Sequence, residues 1–213
     1  MALTLAQEIA RALRRPQTFV EQLANTDPLS LLAAAGQVFY VSDADQNDMV
    51  TGQTSFANTT PTFLLDVPRG TTAIPLFLGL NQAGTVAGAD IAIITELDDV
   101  VRYASGGTAE TIFNSRSHQR STAESTFYSN PTAAAGYGVR TFGVQLAPDI
   151  SPAEGAIYEV VWTPGGSLDF IDGPGAWNVF TYAGTTGPTW LWSAKWAEVP
   201  TAWLATVREY LGL

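Results

Sequence analysis

The stretch Thr189-Trp-Leu-Trp-Ser-Ala-Lys-Trp-Ala197 decides the fold of this chain. Trp190, Trp192 and Trp196 have one parity, and Lys195, the only lysine in the sequence, has the other. Successive side chains of a strand point to opposite faces, so an extended backbone places the three indoles together and Lys195 opposite them. The stretch therefore predicts a β-strand that lays one face on a hydrophobic core.

Eight further segments carry the strand signature, because they are short apolar runs rich in Val, Ile, Phe, Tyr, Trp and Thr that end at Gly, Pro, Asn or Asp. Turn-forming sequences such as Pro68-Arg69-Gly70 and Gly106-Gly107 separate them. Many strands without long intervening helices predict a mainly β protein, built as a sandwich or a barrel. The predicted strands are Val38–Ser42, Thr62–Val67, Ala73–Leu80, Asp90–Leu97, Val100–Ala104, Val139–Leu146, Ile157–Thr163 and Ala176–Tyr182.

Two segments lack the alternation of a strand with one buried face. Ala73–Leu80 and Ile91–Ile94 are apolar at successive positions, so both faces of each strand need cover. The cover would be a helix or a neighbouring copy of the protein, and the helical segments at the N-terminus are one candidate.

The first 36 residues predict a helical arm. Thr4 is a candidate N-cap, and the helix that it begins ends before Pro16. A second helix is predicted at Thr18–Ala24 and a third at Asp27–Ala35, with Gly36 as its C-cap. We expect the first helix to pack on its own domain or to reach a neighbouring subunit. The residues assigned to this assembly role are Leu5, Ile9, Leu13, Arg11, Arg14 and Arg15.

The other end of the chain predicts a short C-terminal helix. Trp203, Val207 and Tyr210 recur there at helical spacing after Pro200. The predicted organisation is therefore an N-terminal helical arm at residues 1–36, a β-sandwich domain at 37–199 and a C-terminal helix at 200–213.

Composition excludes several classes of protein. The 213 residues include 20 acidic and 10 basic side chains, and a net charge of −10 repels phosphate backbones, so the β domain is expected to have no direct nucleic-acid role. Without cysteine there is no disulfide or Cys-based metal site, and one histidine cannot form a multi-histidine metal site. No apolar run approaches the ~18 residues of a membrane span. In a signal peptide the basic residues precede the apolar residues, whereas the N-terminal arginines of this chain follow them, so we expect no signal peptide.

One acidic loop has the ligand spacing of a calcium site. Asp43, Asp45 and Asn47 place oxygen atoms at i, i+2 and i+4, and Asp48 adds a carboxylate. The loop departs from the EF-hand pattern at Asp48, where that pattern has Gly, and at Thr54, where it has Glu. A solvated acidic loop is the simpler interpretation, so we expect no cofactor and keep calcium as a candidate ligand.

Paired carboxylates suggest glycoside hydrolysis as an alternative, because that reaction needs two acids about 5 to 9 Å apart. Acids at strand ends also serve solubility, and tryptophans also form sandwich cores, so we expect no enzyme. The candidate pairs are Glu96 with Asp98 or Asp99, Asp169 with Asp172, and Glu159 with Glu198, and the candidate sugar platform is Trp162, Trp177, Trp190 and Trp192.

The polar stretch between residues 108 and 138 contains the only histidine. A nucleophile and a base could be assembled from His118 and its neighbours, although no Gly-x-Ser-x-Gly turn is present. The alternative is a surface histidine in a polar loop, and Thr111–Ser125 could also be a helix. The neighbours considered are Ser115, Ser117, Ser121 and Glu124.

The eight or so strands, the arm-like segment Met1–Gly36 and the long connections such as Asp43–Pro61 resemble the single jelly-roll structural proteins of icosahedral viruses and bacteriophages. The resemblance implies an antiparallel jelly-roll barrel that forms, or attaches to, a capsid shell by self-assembly and without catalysis. It also implies that the partners are copies of the chain and other virion proteins, and that the protein is assembled in the host cytoplasm and located in the virion.

Jelly rolls also serve lectins and cupins. A cupin is disfavoured because the chain has one histidine. A carbohydrate- or receptor-binding β-sandwich remains the alternative, and it would show a row of exposed aromatic side chains.

Overall fold

A computed structural model of the chain describes residues 28–43, 49–83, 90–118, 123–136, 138–146, 159–164 and 168–204. No helix in these ranges is long and apolar enough to cross a membrane. Residues 201–204 form a helical turn. The other elements are α1 (Pro28–Ala34), β1 (Val38–Ser42), β2 (Val50–Thr51), β3 (Phe63–Val67), β4 (Thr71–Gln82), β5 (Ile91–Asp98), β6 (Tyr103–Ser105), β7 (Thr108–Ala109), β8 (Phe113–Asn114), β9 (Thr126–Ser129), β10 (Thr132–Ala133), β11 (Val139–Leu146), β12 (Glu159–Trp162), β13 (Ile171–Asp172), β14 (Gly175–Tyr182) and β15 (Thr189–Pro200).

Two antiparallel sheets contain most of the strands. Sheet A has the order β12-β4-β15-β1-β8, with β13 added on β4 and β2 added on β15. Sheet B has the order β11-β5-β14-β3-β9-β7, and β10 pairs separately with β6. This arrangement confirms the predicted mainly β class.

Eight strands pair in a nested order along the chain. The first, β1, pairs with the last, β15; the second, β3, pairs with the seventh, β14. The third, β4, pairs with the sixth, β12, and the fourth, β5, pairs with the fifth, β11. The four pairs therefore have the order of one long hairpin, and successive strand pairs along this hairpin lie alternately in sheet A and sheet B. All eight strands overlap segments that the sequence predicts as strands.

Aromatic rings join the two sheets. Trp192 of sheet A lies 4.7 Å from Phe63 and 5.4 Å from Phe127 of sheet B, and Trp162 lies 5.4 Å from Trp177 across the same interface, measured between ring centroids. Removing one indole from water stabilises a fold by about 4 to 6 kcal/mol on an area basis. The inward face predicted for the tryptophans of β15 is confirmed, and the two sheets form a β-sandwich.

Helix α1 covers part of the outer face of sheet A. Leu32 and Ala33 of the helix pack on Val38, Ile74 and Ala197, one residue from each of three adjacent strands. The helix ends in a Schellman motif. Gly36 has a φ of 77°, and the backbone N–H of Gln37 donates to the carbonyl of Leu32 over 2.9 Å. Helix α1 thus covers the outer face of the apolar strand β4 at Ile74, and the predicted C-cap, Gly36, is the residue that adopts this φ.

The connections between strands cover the outer face of sheet B, with Arg102 at their centre. The fully buried guanidinium pairs with Asp98 of β5 and donates to the carbonyls of Ala134 (2.7 Å) and Asn58 (2.5 Å). Asn178 of β14 donates to the same Asp98 carboxylate over 2.9 Å. A buried charge is tolerated when its hydrogen bonds are made, so this network holds three loops on the sheet.

Several boundaries differ from the prediction. Val100–Ala104 is not one strand: residues 100 and 101 lie in an exposed loop and strand β6 begins at Tyr103, because the loop must bring Arg102 onto Asp98. Strand β15 continues through Pro200, since Pro200 pairs with Thr71, and the helix begins one residue later. The described parts of 111–125 form β8 and a turn rather than a helix. The predicted helices before residue 27 and the chain after residue 204 lie outside the described residues.

Asp66 is a half-buried carboxyl on the outer face of sheet B. It lies near Tyr128, whose ring stacks on Tyr103 with 4.0 Å between centroids. Burial disfavours the charged form and raises the pKa of Asp66 above its ordinary value.

Replacing Arg102 by methionine is expected to lower the free energy of unfolding by about 3 to 5 kcal/mol, because Asp98 is left buried without its partner. Arg140→Met is the matched control. Arg140 bonds Glu96 over 3.2 Å, but its side chain is 62% exposed, so about 1 kcal/mol or less is expected. Urea unfolding of both variants measures the difference. Equal losses would show that burial does not set the strength of these pairs.

Asp66→Asn is expected to raise the melting temperature at pH 7, because it removes a carboxylate that burial destabilises. A raised pKa in the folded state means that wild-type stability falls as pH rises through the titration of Asp66. The gain should therefore disappear in acid, where the carboxyl of the wild type is protonated. Thermal unfolding at several pH values tests this, with Asp99→Asn in an exposed loop as the control. A gain that persists in acid would contradict the assigned cause.

Candidate functional site

A pocket of about 380 Å³ opens on the outer face of sheet A, beside the area that helix α1 covers. This volume is within the range of pockets that hold small ligands. Its lining includes the only lysine and the only histidine of the chain. The side chains that define it are Tyr40, Phe77, Ser115, His118, Ser193 and Lys195.

A row of side chains across four strands forms one side of the pocket. Phe113 of β8 is opposite Tyr40 of β1, Tyr40 is opposite Lys195 of β15, and Lys195 is opposite Phe77 of β4. Directly opposed residues of antiparallel strands lie on the same face, so the row contains three aromatic side chains and one lysine. The rings of Tyr40 and Phe113 stack with 5.6 Å between centroids.

Small residues give the pocket its depth. Ser193 pairs with Gly79, and a Cβ at Gly79 would lie 2.9 Å from the ring of Phe77 and 3.2 Å from the hydroxyl of Ser193. A bulge in β4 next to this point leaves Leu76 without an opposite residue on β15. Pro75, which has no N–H to donate, falls in the gap between the parts of β4 that pair with β12 and β13.

The turn after β8 forms the opposite wall. Asn114 donates to the carbonyl of Gly36 over 2.7 Å, and its backbone carbonyl accepts the N–H of His118 over 2.8 Å. His118 has a φ of 54°, in the left-handed region that few side chains adopt. The hydroxyl of Ser115 is buried, and no partner for it is found in the described part of the chain. Such outliers in conformation and bonding occur preferentially at functional positions.

Lys195 carries the positive charge of the pocket. It is exposed and makes no ion pair with any acid in the described ranges. Lys195 therefore gives the pocket a local positive charge in a chain whose net charge is −10.

The structure places Glu96 and Asp98 together, as the shared strand face predicts. Both carboxylates lie beside Gly138: a Cβ atom added to this glycine would be within 3.3 Å of an oxygen of each. Both side chains are buried beneath the loops of sheet B, where Arg140 and Arg102 hold them. This carboxylate pair therefore stabilises the fold and lies away from the pocket, while Asp99 lies in an exposed loop.

The remaining candidate carboxylates make structural contacts or lie far apart. Glu198 accepts the indole N–H of Trp196 over 2.7 Å and the backbone N–H of Glu124 over 2.9 Å, so it ties a loop to β15. Glu198 pairs with Ala73 of β4 and Glu159 pairs with Asn81 of the same strand. These two positions of β4 are eight residues apart, which is about 26 Å along the strand. Asp172, partner of Asp169 in the prediction, is exposed and accepts the hydroxyl of Thr72 over 2.6 Å.

The predicted sugar platform is wrong. The side chains of the four tryptophans assigned to it are at most 5% exposed, because their strands turn these positions toward the opposite sheet. The partly exposed aromatic row of sheet A was missed. Tyr40 has the parity opposite to that of its buried neighbours, which is a signal for exposure, but only the strand order places it and Phe77 on either side of Lys195. The platform residues are Trp162, Trp177, Trp190 and Trp192.

Ser115 and His118 share the pocket, as their closeness in sequence suggests, but the hydroxyl of Ser115 does not bond the imidazole. The hydrogen bond between nucleophile and base is therefore not formed. Ser121 lies outside the described residues.

The calcium and assembly predictions fall mostly outside the described ranges. Asp43 is described, and its backbone N–H donates to Trp192 over 3.0 Å, whereas Asp45, Asn47 and Asp48 are not. Among the residues that are described, no three His, Asp or Glu side chains come together as a metal site. The arm residues Leu5, Ile9, Leu13, Arg11, Arg14 and Arg15 also lie outside these ranges.

Comparison with known proteins gives no match to any family model, curated protein or solved structure.

Proposed function

We propose that the β-sandwich is a jelly roll. The nested pairing supports this topology, since it places strands 6-3-8-1 in one sheet and strands 5-4-7-2 in the other when the eight strands are numbered along the chain. A jelly roll is a double sheet of eight strands that is formed by two Greek keys.

We infer that the protein is a structural subunit of an icosahedral capsid shell, or is attached to one, and acts by self-assembly without catalysis. The observation that carries this proposal is the nested strand order, because shell subunits of viruses use the jelly roll. Lectins and cupins also use it, so the fold alone does not decide between them. The protein would be located in the virion, with copies of itself and other virion proteins as partners.

The two sides of the sandwich differ in a way that favours assembly. On one side the sheets end in β8 and β7, which have two residues each. On the other side they end in β11 and β12, where Val139 is 71% and Val161 is 47% exposed. Short edge strands resist pairing with another chain, whereas β11 and β12, which have no further partner strand among the described residues, are longer and have exposed valines that favour it. The β11 and β12 edge is therefore the proposed contact between subunits.

The path of the chain also suits an arm. Val38 at the start of β1 is opposite Ala197 near the end of β15, so the segments before β1 and after β15 leave sheet A at the same end. The predicted amphipathic helix with Leu5, Ile9 and Leu13 precedes this point in the sequence.

The edge proposal predicts that the double substitution Val139→Lys and Val161→Lys weakens self-association by at least about tenfold in dissociation constant, because like charges would face each other across the contact. Light scattering over a range of concentration measures this. Val101→Lys, at a position that is 55% exposed and outside both sheets, is the control for added charge. Unchanged association of the double variant would exclude this edge as the contact.

Removal of Met1–Pro16 is expected to change the size distribution of the assembly while the β domain remains folded. Far-UV circular dichroism and light scattering on the same samples separate the two effects. If the mass distribution of the truncated protein equals that of the full chain, the helix is not an assembly arm.

A second candidate function is carbohydrate binding. It is favoured by the pocket on sheet A, which combines aromatic rings with hydroxyl and cationic groups. A shell subunit can carry such a site, since assembly uses the strand edges and the pocket lies in the middle of a sheet.

A further inference from the structure

We propose that the pocket on sheet A binds an acidic carbohydrate, that is, a pyranose ring that carries a carboxylate. The inference rests on the second candidate function, carbohydrate binding, and is independent of shell assembly. The residues that would contact the sugar are Tyr40, Phe77, Ser115, His118, Ser193 and Lys195.

Two aromatic side chains supply the surface for the sugar ring. Tyr40 and Phe77 are both partly exposed and stand on either side of Lys195 in the cross-strand row. The C–H groups on one face of a pyranose carry partial positive charge, and an aromatic face carries negative charge, so the two surfaces attract and exclude water. Phe77 lies across Gly79 and Tyr40 is stacked on Phe113, which holds both rings in place before a ligand arrives.

Lys195 sets the charge of the ligand. Lys195 stands between Tyr40 and Phe77 in the cross-strand register and has no acidic partner in the described part of the protein. A carboxylate attached to the stacked sugar would lie within reach of its ammonium group and form a charge-assisted hydrogen bond. The net charge of −10 disfavours acidic ligands over the protein as a whole, so the local charge of Lys195 is what would attract one to this pocket.

Polar groups on the walls match sugar hydroxyls. The hydroxyl of Ser115 is buried and has no partner among the described residues, and a ligand that reached it would satisfy a group whose burial otherwise destabilises the free protein. Ser193 offers a second hydroxyl, and the imidazole of His118 can donate or accept. The wall is built before binding, because Asn114 anchors the turn to the end of helix α1 through a 2.7 Å hydrogen bond.

The position of the pocket favours a compact ligand over an extended peptide. Peptides that bind sheets usually pair with a free edge. The centre of the pocket lies over β15, which pairs with β1 on one side and with β4 on the other. This central strand offers no free edge to a peptide, whereas a single ring fits a volume of about 380 Å³.

The test is an NMR titration of the full-length protein with two probes, methyl glucuronide and methyl glucoside, which differ in the carboxylate. We expect the glucuronide to bind at least about tenfold more tightly. Lys195→Met should abolish the preference for the carboxylate, so that the two probes bind this variant with affinities within about twofold of each other. Phe77→Ala should weaken both probes. Raising the salt concentration from about 50 to about 500 mM should weaken the glucuronide alone.

The outcomes separate the inference from the function that it rests on. Equal affinity for the two probes on the wild type would overturn the acidic ligand and leave carbohydrate binding in place. Binding of neither probe at about 50 mM would overturn both. Tighter binding of a glutamate-containing peptide than of the glucuronide would assign the pocket to a protein partner instead. The probe comparison and the salt series use the wild type, so they decide even where a variant fails to fold.

Discussion

The contact of Trp192 with Phe63 and Phe127 joins the two sheets, and most other features depend on it. The three rings lie within 6.0 Å of one another between centroids and come from β15, β3 and β9. Because the side chain of Trp192 points inward and side chains alternate between the two faces of a strand, Lys195 of β15 points outward. The same strand therefore supplies a core of indoles to one side and the cation of a pocket to the other. A shift of register by one residue would exchange them and would place a lysine in the core.

The outer faces of the two sheets have different uses, because the chain covers them differently. Loops close the outer face of sheet B, and the buried pair of Arg102 and Asp98 holds them there. Sheet A is covered by helix α1 near Ile74 and Ala197 and is open farther along the strands. An open sheet face with aromatic and cationic side chains can bind a ligand, whereas a face closed by a salt-bridged network stabilises the fold. Glu96 and Asp98, one of the acid pairs that sequence spacing suggests for catalysis, belong to the closed face.

Much of the local structure could be predicted, because it is determined by residues that are close in the chain. The strand at Val139–Leu146 agrees with the structure residue by residue, and Gly36 ends helix α1 at the predicted position. Failures occur where a distant partner decides. Val100 and Val101 have high β propensity, yet they form a loop because Arg102 must reach a carboxylate on β5. The segment after residue 111 contains β8 because β1 offers Phe113 an edge to pair with.

The sequence by itself determined the mainly β fold class, the positions of the long strands, the inward face of the tryptophans and the net negative charge. These follow from the period of side chains, from turn residues and from net charge, which are properties of the chain without contacts. The tertiary structure decided which strands are neighbours and therefore which side chains meet. Tyr40, Phe77 and Lys195 are far apart in sequence, and they adjoin only because β1 and β4 both pair with β15. The pairing of distant strands depends on the packing of the whole core, and no local pattern encodes it.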